Sequence, residues 1–233
     1  MEKIIREVCT DTVNSAITAQ LNGGDRIELC QALSDDGLTP AYSLLEYCCK
    51  ELNIPVCVLV RPRGGDFCYN EVEYRLIKED VRHCKEAGAE AVVTGFLTPG
   101  GEVDKVKLKE VATLAAPMQL VFHRAFDYTN DLSAALEDLI ECGCKRVLTS
   151  GGAKSAFEGA EVLRKLNEQA AGRIEILAGG GVNPENVADI IRISGCRQVH
   201  FSGKTTIKGY NGRKHTETAP DSVKAIKEIT DKL

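Results

Sequence analysis

No Cys-x-x-Cys pair occurs in this chain, although it holds ten cysteines. The spacing of zinc ribbons and of thioredoxin-like redox sites is therefore missing. No apolar stretch is long enough to span a bilayer, and the N-terminus (Met1-Glu2-Lys3-Ile4-Ile5-Arg6-Glu7) lacks a signal-peptide core. A net charge of -5 with no basic block argues against nucleic acid as a partner. Only two methionines and four histidines are present, so there is no soft-metal tract rich in either. These absences predict a soluble cytoplasmic protein with no membrane and no nucleic-acid partner. A reducing cytoplasm does not sustain a disulfide framework, so most of the thiols read as small core hydrophobes.

What is present is a repeated unit. The chain has 233 residues, 43% of them hydrophobic, enough for a substantial core. Short apolar runs alternate with amphipathic ones. Ile4–Cys9 reads as a strand and Thr12–Leu21 as its helix, with Asp11 as the cap and Asn22-Gly23-Gly24 as the stop. Arg26–Cys30 leads to Ala41–Glu51, and Pro55–Val60 to a helix from about Glu71 to Ala87. Ala91–Gly95 precedes Asp104–Leu114, and Met118–His123 precedes Leu132–Glu141. Arg146–Thr149, Ile174–Ala178 and Gln198–Ser202 complete the strands. Their helices are Ala156–Gln169, then Pro184–Ile193 with Pro184 at its first position, and last Asp221–Leu233. Eight βα units without a linker imply a parallel sheet with right-handed crossovers. The expected fold is α/β, a single (β/α)₈ TIM barrel over residues 1–233. Gly179-Gly180-Gly181 is not a dinucleotide fingerprint, since it comes late and lacks the following acidic residue.

In such a barrel the chemistry lies where strands end. Val8, Ile27 and Leu29 can face the helices, which turns Glu7, Cys9, Glu28 and Cys30 toward the barrel axis. Two inward glutamates need cations, and Arg61 on the third strand is the expected one. Val56–Val60 runs into Arg61-Pro62-Arg63-Gly64-Gly65-Asp66-Phe67. If strand alternation persists, Arg61 and Arg63 point the same way and can grip a carboxylate or phosphate; the bland alternative is an ion pair with Asp66. His123 and Arg124 end the fifth strand, though regular alternation would not turn both inward. His200 and Ser202 share a face on the eighth. The turns Thr149-Ser150-Gly151-Gly152, Gly179-Gly180-Gly181 and Ser202-Gly203-Lys204 stand where barrels bind phosphate through backbone N–H groups. The basic segment Lys204–Lys214 reads as a mobile loop.

Six motifs occur in order: Glu7-Val8-Cys9, Asp25 to Cys30, Arg61 to Phe67, Phe122 to Asp127, Arg146 to Gly151 and Gly179-Gly180-Gly181. Together, over about residues 4–205, the chain resembles the CutC copper homeostasis family. The resemblance implies a cytoplasmic TIM barrel, a homo-oligomer (dimer or tetramer), and copper(I) handling. Reduced cysteines are soft ligands suited to Cu(I), and Cys9 and Cys30, of equal parity on adjacent strands, are the best pair.

A second reading stands beside it. Glu7, Glu28, His123 and His200 are candidate proton-transfer groups of an enzyme. Arg61, Arg63, Arg124, Ser150, Gly151, Gly180, Gly181, Ser202 and Gly203 would then hold a small phosphorylated or carboxylated metabolite for isomerisation, aldol-type cleavage or hydrolysis. A non-catalytic ligand-binding barrel is the third class, at the cost of polar strand ends without a ligand.

Overall fold

The computed structural model describes residues 3–233. Its strands are β1 (Ile5–Thr10), β2 (Arg26–Leu29), β3 (Val56–Leu59), β4 (Ala91–Thr94), β5 (Gln119–Phe122), β6 (Arg146–Thr149), β7 (Glu175–Gly179) and β8 (Gln198–Phe201). They pair in parallel in sequence order, and β8 closes onto β1. The helices between and after them are α1 (Val13–Leu21), α2 (Tyr42–Glu51), α3 (Glu71–Ala87), α4 (Lys105–Ala115), α5 (Leu132–Glu141), α6 (Ala160–Ala170), α7 (Val187–Ser194) and α8 (Pro220–Thr230). The expected (β/α)₈ barrel is the observed one.

Strand alternation builds two separate cores. Val8, Ile27, Leu29 and Val58 join the helices in a large outer cluster. Cys9, Cys30, Cys57, Leu59, Ala91, Val93 and Val121 fill the barrel interior. Three thiols thus line the inside of the ring, a small and soft packing material. Register sets the interior polar groups side by side: Glu7 lies opposite Arg26 on β2 and His200 on β8, and Cys9 lies opposite Glu28.

Three local expectations are corrected. Thr12 rather than Asp11 caps α1, its side chain accepting from the Ser15 N–H. Pro184 sits in the turn before α7, which begins only at Val187. The segment Lys204–Lys214 is part of an antiparallel hairpin, β9 (Lys204–Lys208) and β10 (Lys214–Thr218). Its base is fixed by Ala219 N–H to Gly203 O at 2.9 Å and Thr218 N–H to Ser15 Oγ at 3.0 Å. The glycines and Asn211 that suggested mobility form its turn, with Asn211 and Gly212 at positive φ.

Candidate functional site

The first, second and eighth strands place one continuous, buried polar cluster inside the barrel. His200 Nδ1 lies 2.8 Å from Glu7 Oε1, and His200 Nε2 lies 3.8 Å from Glu28 Oε2. The Cys9 thiol donates to Glu28 Oε2 at 3.3 Å, and the Cys9 and Cys30 sulfurs are 3.8 Å apart. Cys9, Glu28 and His200 offer donor atoms that all lie within 4.8 Å of one another. The parity argument therefore holds for Glu7, Cys9, Glu28 and Cys30.

The cation for these glutamates is not Arg61. Arg26 forms the ion pair with Glu7 and donates to Gln198 Oε1 at 2.5 Å. Arg146 extends this buried layer to Gln119 at 2.5 Å and to the Cys57 sulfur at 3.3 Å. Arg26 shares the parity of Glu28 and Gln198 that of His200, so both signals were present in the sequence; Arg146 has no comparable mark.

Charge in the cluster follows from these contacts. Burial alone would raise the Glu7 carboxyl, but Arg26, His200 and Arg146 together hold it well below the usual range. Burial would lower His200, yet Glu28 and Glu7 outweigh it and favour the imidazolium. Burial and the neighbouring Glu7 charge push Glu28 up, against the pull of His200. The Cys30 contact, burial and Glu28 raise the Cys9 thiol well above its ordinary value. The result is a proton-rich strip above a fixed carboxylate.

Arg61 has another task. β3 ends at Leu59, so strand alternation does not carry through Arg61 and Arg63. Arg61 donates to the carbonyls of Asp35 (2.9 Å), Gly37 (3.0 Å) and Gly65 (3.1 Å), stapling two loops, while its buried Nε has no partner among the described residues. Arg63 is spent on Glu73 at 2.6 Å, on Asp66 at 3.0 Å and on loop carbonyls, so it is removed from the expected anion site. The Asp66 ion pair is the contact found.

His123 is corrected from proton shuttle to neutral donor. Burial, with Arg61 nearby, pushes its pKa down to about 3. Its Nδ1 accepts from the Ala125 N–H at 3.1 Å, which leaves the ring proton on Nε2, a buried atom without a partner among the described residues. The ring packs on Phe67 at 4.9 Å between centroids. Arg124 reaches the same side because β5 has already ended at Phe122. It donates to Asp127 and to Ser150 Oγ, both at 2.8 Å.

Ser150 and Gly151 also leave the expected anion site. Asp127 already occupies the turn after β6, accepting from Ser150 N–H (3.1 Å), Gly152 N–H (3.0 Å) and the Thr149 hydroxyl. The Gly151 N–H is taken by Thr149 Oγ1 at 2.9 Å. The turns after β7 and β8 differ: no partner among the described residues takes the N–H of Gly180, Gly181, Ser202 or Gly203.

These elements enclose a cavity of about 1000 Å³. Cys9, Glu28 and His200 lie at its base, with Arg61, His123, Arg124, Gly180, Gly181, Ser202 and Lys204 around its wall. Phe67 and Tyr128, which sequence reasoning did not single out, supply its apolar surface.

The model of the CutC family matches residues 4–205. The chain belongs to the CutC family. It is 40% identical to a CutC family protein of Chromobacterium violaceum over 247 aligned residues, covering 100% of both chains. It is 44% identical to the human copper homeostasis protein cutC homolog over 202 residues, covering 87% of this chain and 74% of that one. A crystal structure of a CutC from Streptococcus agalactiae superimposes with a TM-score of 0.82 at 32% identity, covering 85% of this chain and 98% of that one. The hairpin β9–β10 lies almost wholly beyond the part that the CutC family model matches.

Proposed function

We propose that this CutC protein handles copper in the cytoplasm, taking Cu(I) between Cys9 and Cys30 with His200 and Glu28 beside them. The observation that carries this reading is the 3.8 Å separation of the Cys9 sulfur, which lines the cavity, from the Cys30 sulfur buried beside it. Two thiolates each about 2.3 Å from one ion lie roughly 3.8 to 4.6 Å apart between tetrahedral and linear geometry. Thiolate sulfur with an imidazole nitrogen is a soft donor set suited to Cu(I). Loading must displace the thiol protons, and the buried Glu28 is the acceptor beside the Cys9 thiol. No described helix is long and apolar enough to cross a membrane.

The test is an anaerobic Cu(I) titration against a chromophoric chelator, on wild type and on a Cys9→Ser/Cys30→Ser double variant. One tightly held Cu(I) per chain, lost in the variant, is the expected result. Equal retention by both proteins would remove copper from this pair.

One observation favours a second reading. A cavity near 1000 Å³ is far larger than an ion requires and matches pockets for small organic molecules. On that reading the cavity takes a small anionic metabolite, and Glu28 and His200, both inclined to hold a proton, are the acid–base pair of an isomerase, lyase or hydrolase.

A further inference from the structure

We propose that the ends of β7 and β8 form a seat for a phosphate group, so that the cavity takes a phosphorylated small metabolite. The proposal rests on the reading of the cavity as a site for a small organic anion and names its class.

The turn after β6 shows what these strand ends do with an anion. There the Asp127 carboxylate gathers two backbone N–H groups, two hydroxyls and the Arg124 Nε around itself. The turns after β7 and β8 have no internal carboxylate. Their N–H groups at Gly180, Gly181, Ser202 and Gly203 have no partner among the described residues, and Gly180, Gly181 and Ser202 face the cavity. Gly180 and Gly181 have φ of +108° and +69°, which suits glycine and leaves the backbone bare.

Arg124 supplies the charge. Asp127 and Ser150 hold its Nε and Nη2, which fixes the guanidinium plane and leaves Nη1 uncommitted. That atom lies 3.4 Å from where a Cβ on Gly180 would stand, so the cation borders the bare turn directly. Lys204 adds an ammonium on the same wall. Amides from two loops, a held guanidinium and a lysine surround more oxygen positions than one carboxylate offers, and suit a phosphate dianion.

An independent feature points to a ligand. His123 is only 6% exposed, lines this cavity, and carries a ring N–H without a partner among the described residues. A buried donor left unmade is costly, and a hydroxyl or carbonyl on the body of the ligand would satisfy it. The ligand then spans from the phosphate seat, past His123, to Cys9, Glu28 and His200.

The experiment is ¹H–¹⁵N NMR of the copper-free protein titrated separately with inorganic phosphate, acetate and glycerol. Phosphate is expected to shift the amides of Gly180, Gly181, Ser202 and Gly203 saturably. Affinity should fall roughly tenfold or more in Arg124→Gln and in Ser202→Asp. Ser202→Asp leaves the Arg124–Asp127 contact intact, and its unchanged remaining spectrum certifies the fold. Phosphate titrating Ser202→Asp like wild type, or moving none of the four amides, overturns the seat. In that event, acetate or glycerol shifts at the His123 ring would leave the organic-ligand reading standing. Silence from all three probes would end both.

Discussion

His200 lies between two carboxyl groups, and its proton links the site to the stability of the fold. Glu28 and Glu7 raise it above the ordinary imidazole value despite burial. A raised group contributes stability that is complete below its unfolded pKa, about 6.5, and is lost as pH rises through the folded value. Glu28, itself raised by burial and Glu7, has the same sign. Glu7, held low, contributes above about pH 4.3 and loses that only in acid. Urea midpoints of wild type should therefore decline above about pH 6.5, and His200→Gln should lose most of that decline. An equal slope in the variant would sink the assignment. Much of this scale was readable in the sequence, since parity alone turned Glu7, Cys9, Glu28 and Cys30 inward. Arg61 was misread because alternation was extended beyond a strand that ends at Leu59. The roles of His123 and Asp127 depend on turn geometry, which has no period for a sequence to display.

At the scale of elements, α3 is the most explicitly anchored helix. Asn70 Oδ1 accepts from the N–H groups of Val72 (2.9 Å) and Glu73 (3.0 Å), and Glu73 Oε2 accepts from the Asn70 N–H at 2.9 Å. Glu73 also holds Arg63, so this capping box ties the loop after β3 to its helix. Asn70→Ala should cost about 1 kcal/mol by urea unfolding with an unchanged m-value. No loss of stability would mean that the box does not secure the helix start. Each apolar periodicity that marked a helix or barrel strand found its element. The hairpin escaped because both its strands are largely exposed and carry lysines and threonines, so neither shows a buried face to read.

For the whole molecule, closure of β8 onto β1 is the decisive contact, and the sequence expressed it only as a count of eight units. A second clasp joins the chain's beginning to its end: Arg6 pairs with Asp25 at 2.8 Å and with Asp231, just after α8, at 2.7 Å. We propose that residues 1–233 unfold as one domain. Far-UV dichroism and the near-UV signal of the six tyrosines, in a chain without tryptophan, should then trace coincident urea transitions. Separate midpoints would divide the barrel into independent parts. That outcome would contradict the closed ring.

The burial of eight of the ten cysteines gives the ring its own set of clocks. Cys9, Cys30 and Cys57 sit inside it, while Cys48 and Cys84 are on the buried faces of α2 and α3. Cys142 and Cys144 follow α5, and Cys196 follows α7. A thiol reagent cannot reach a buried sulfur until its own sector opens. The order in which these native residues become alkylated would chart the breathing of the barrel, sector by sector, without a single introduced label.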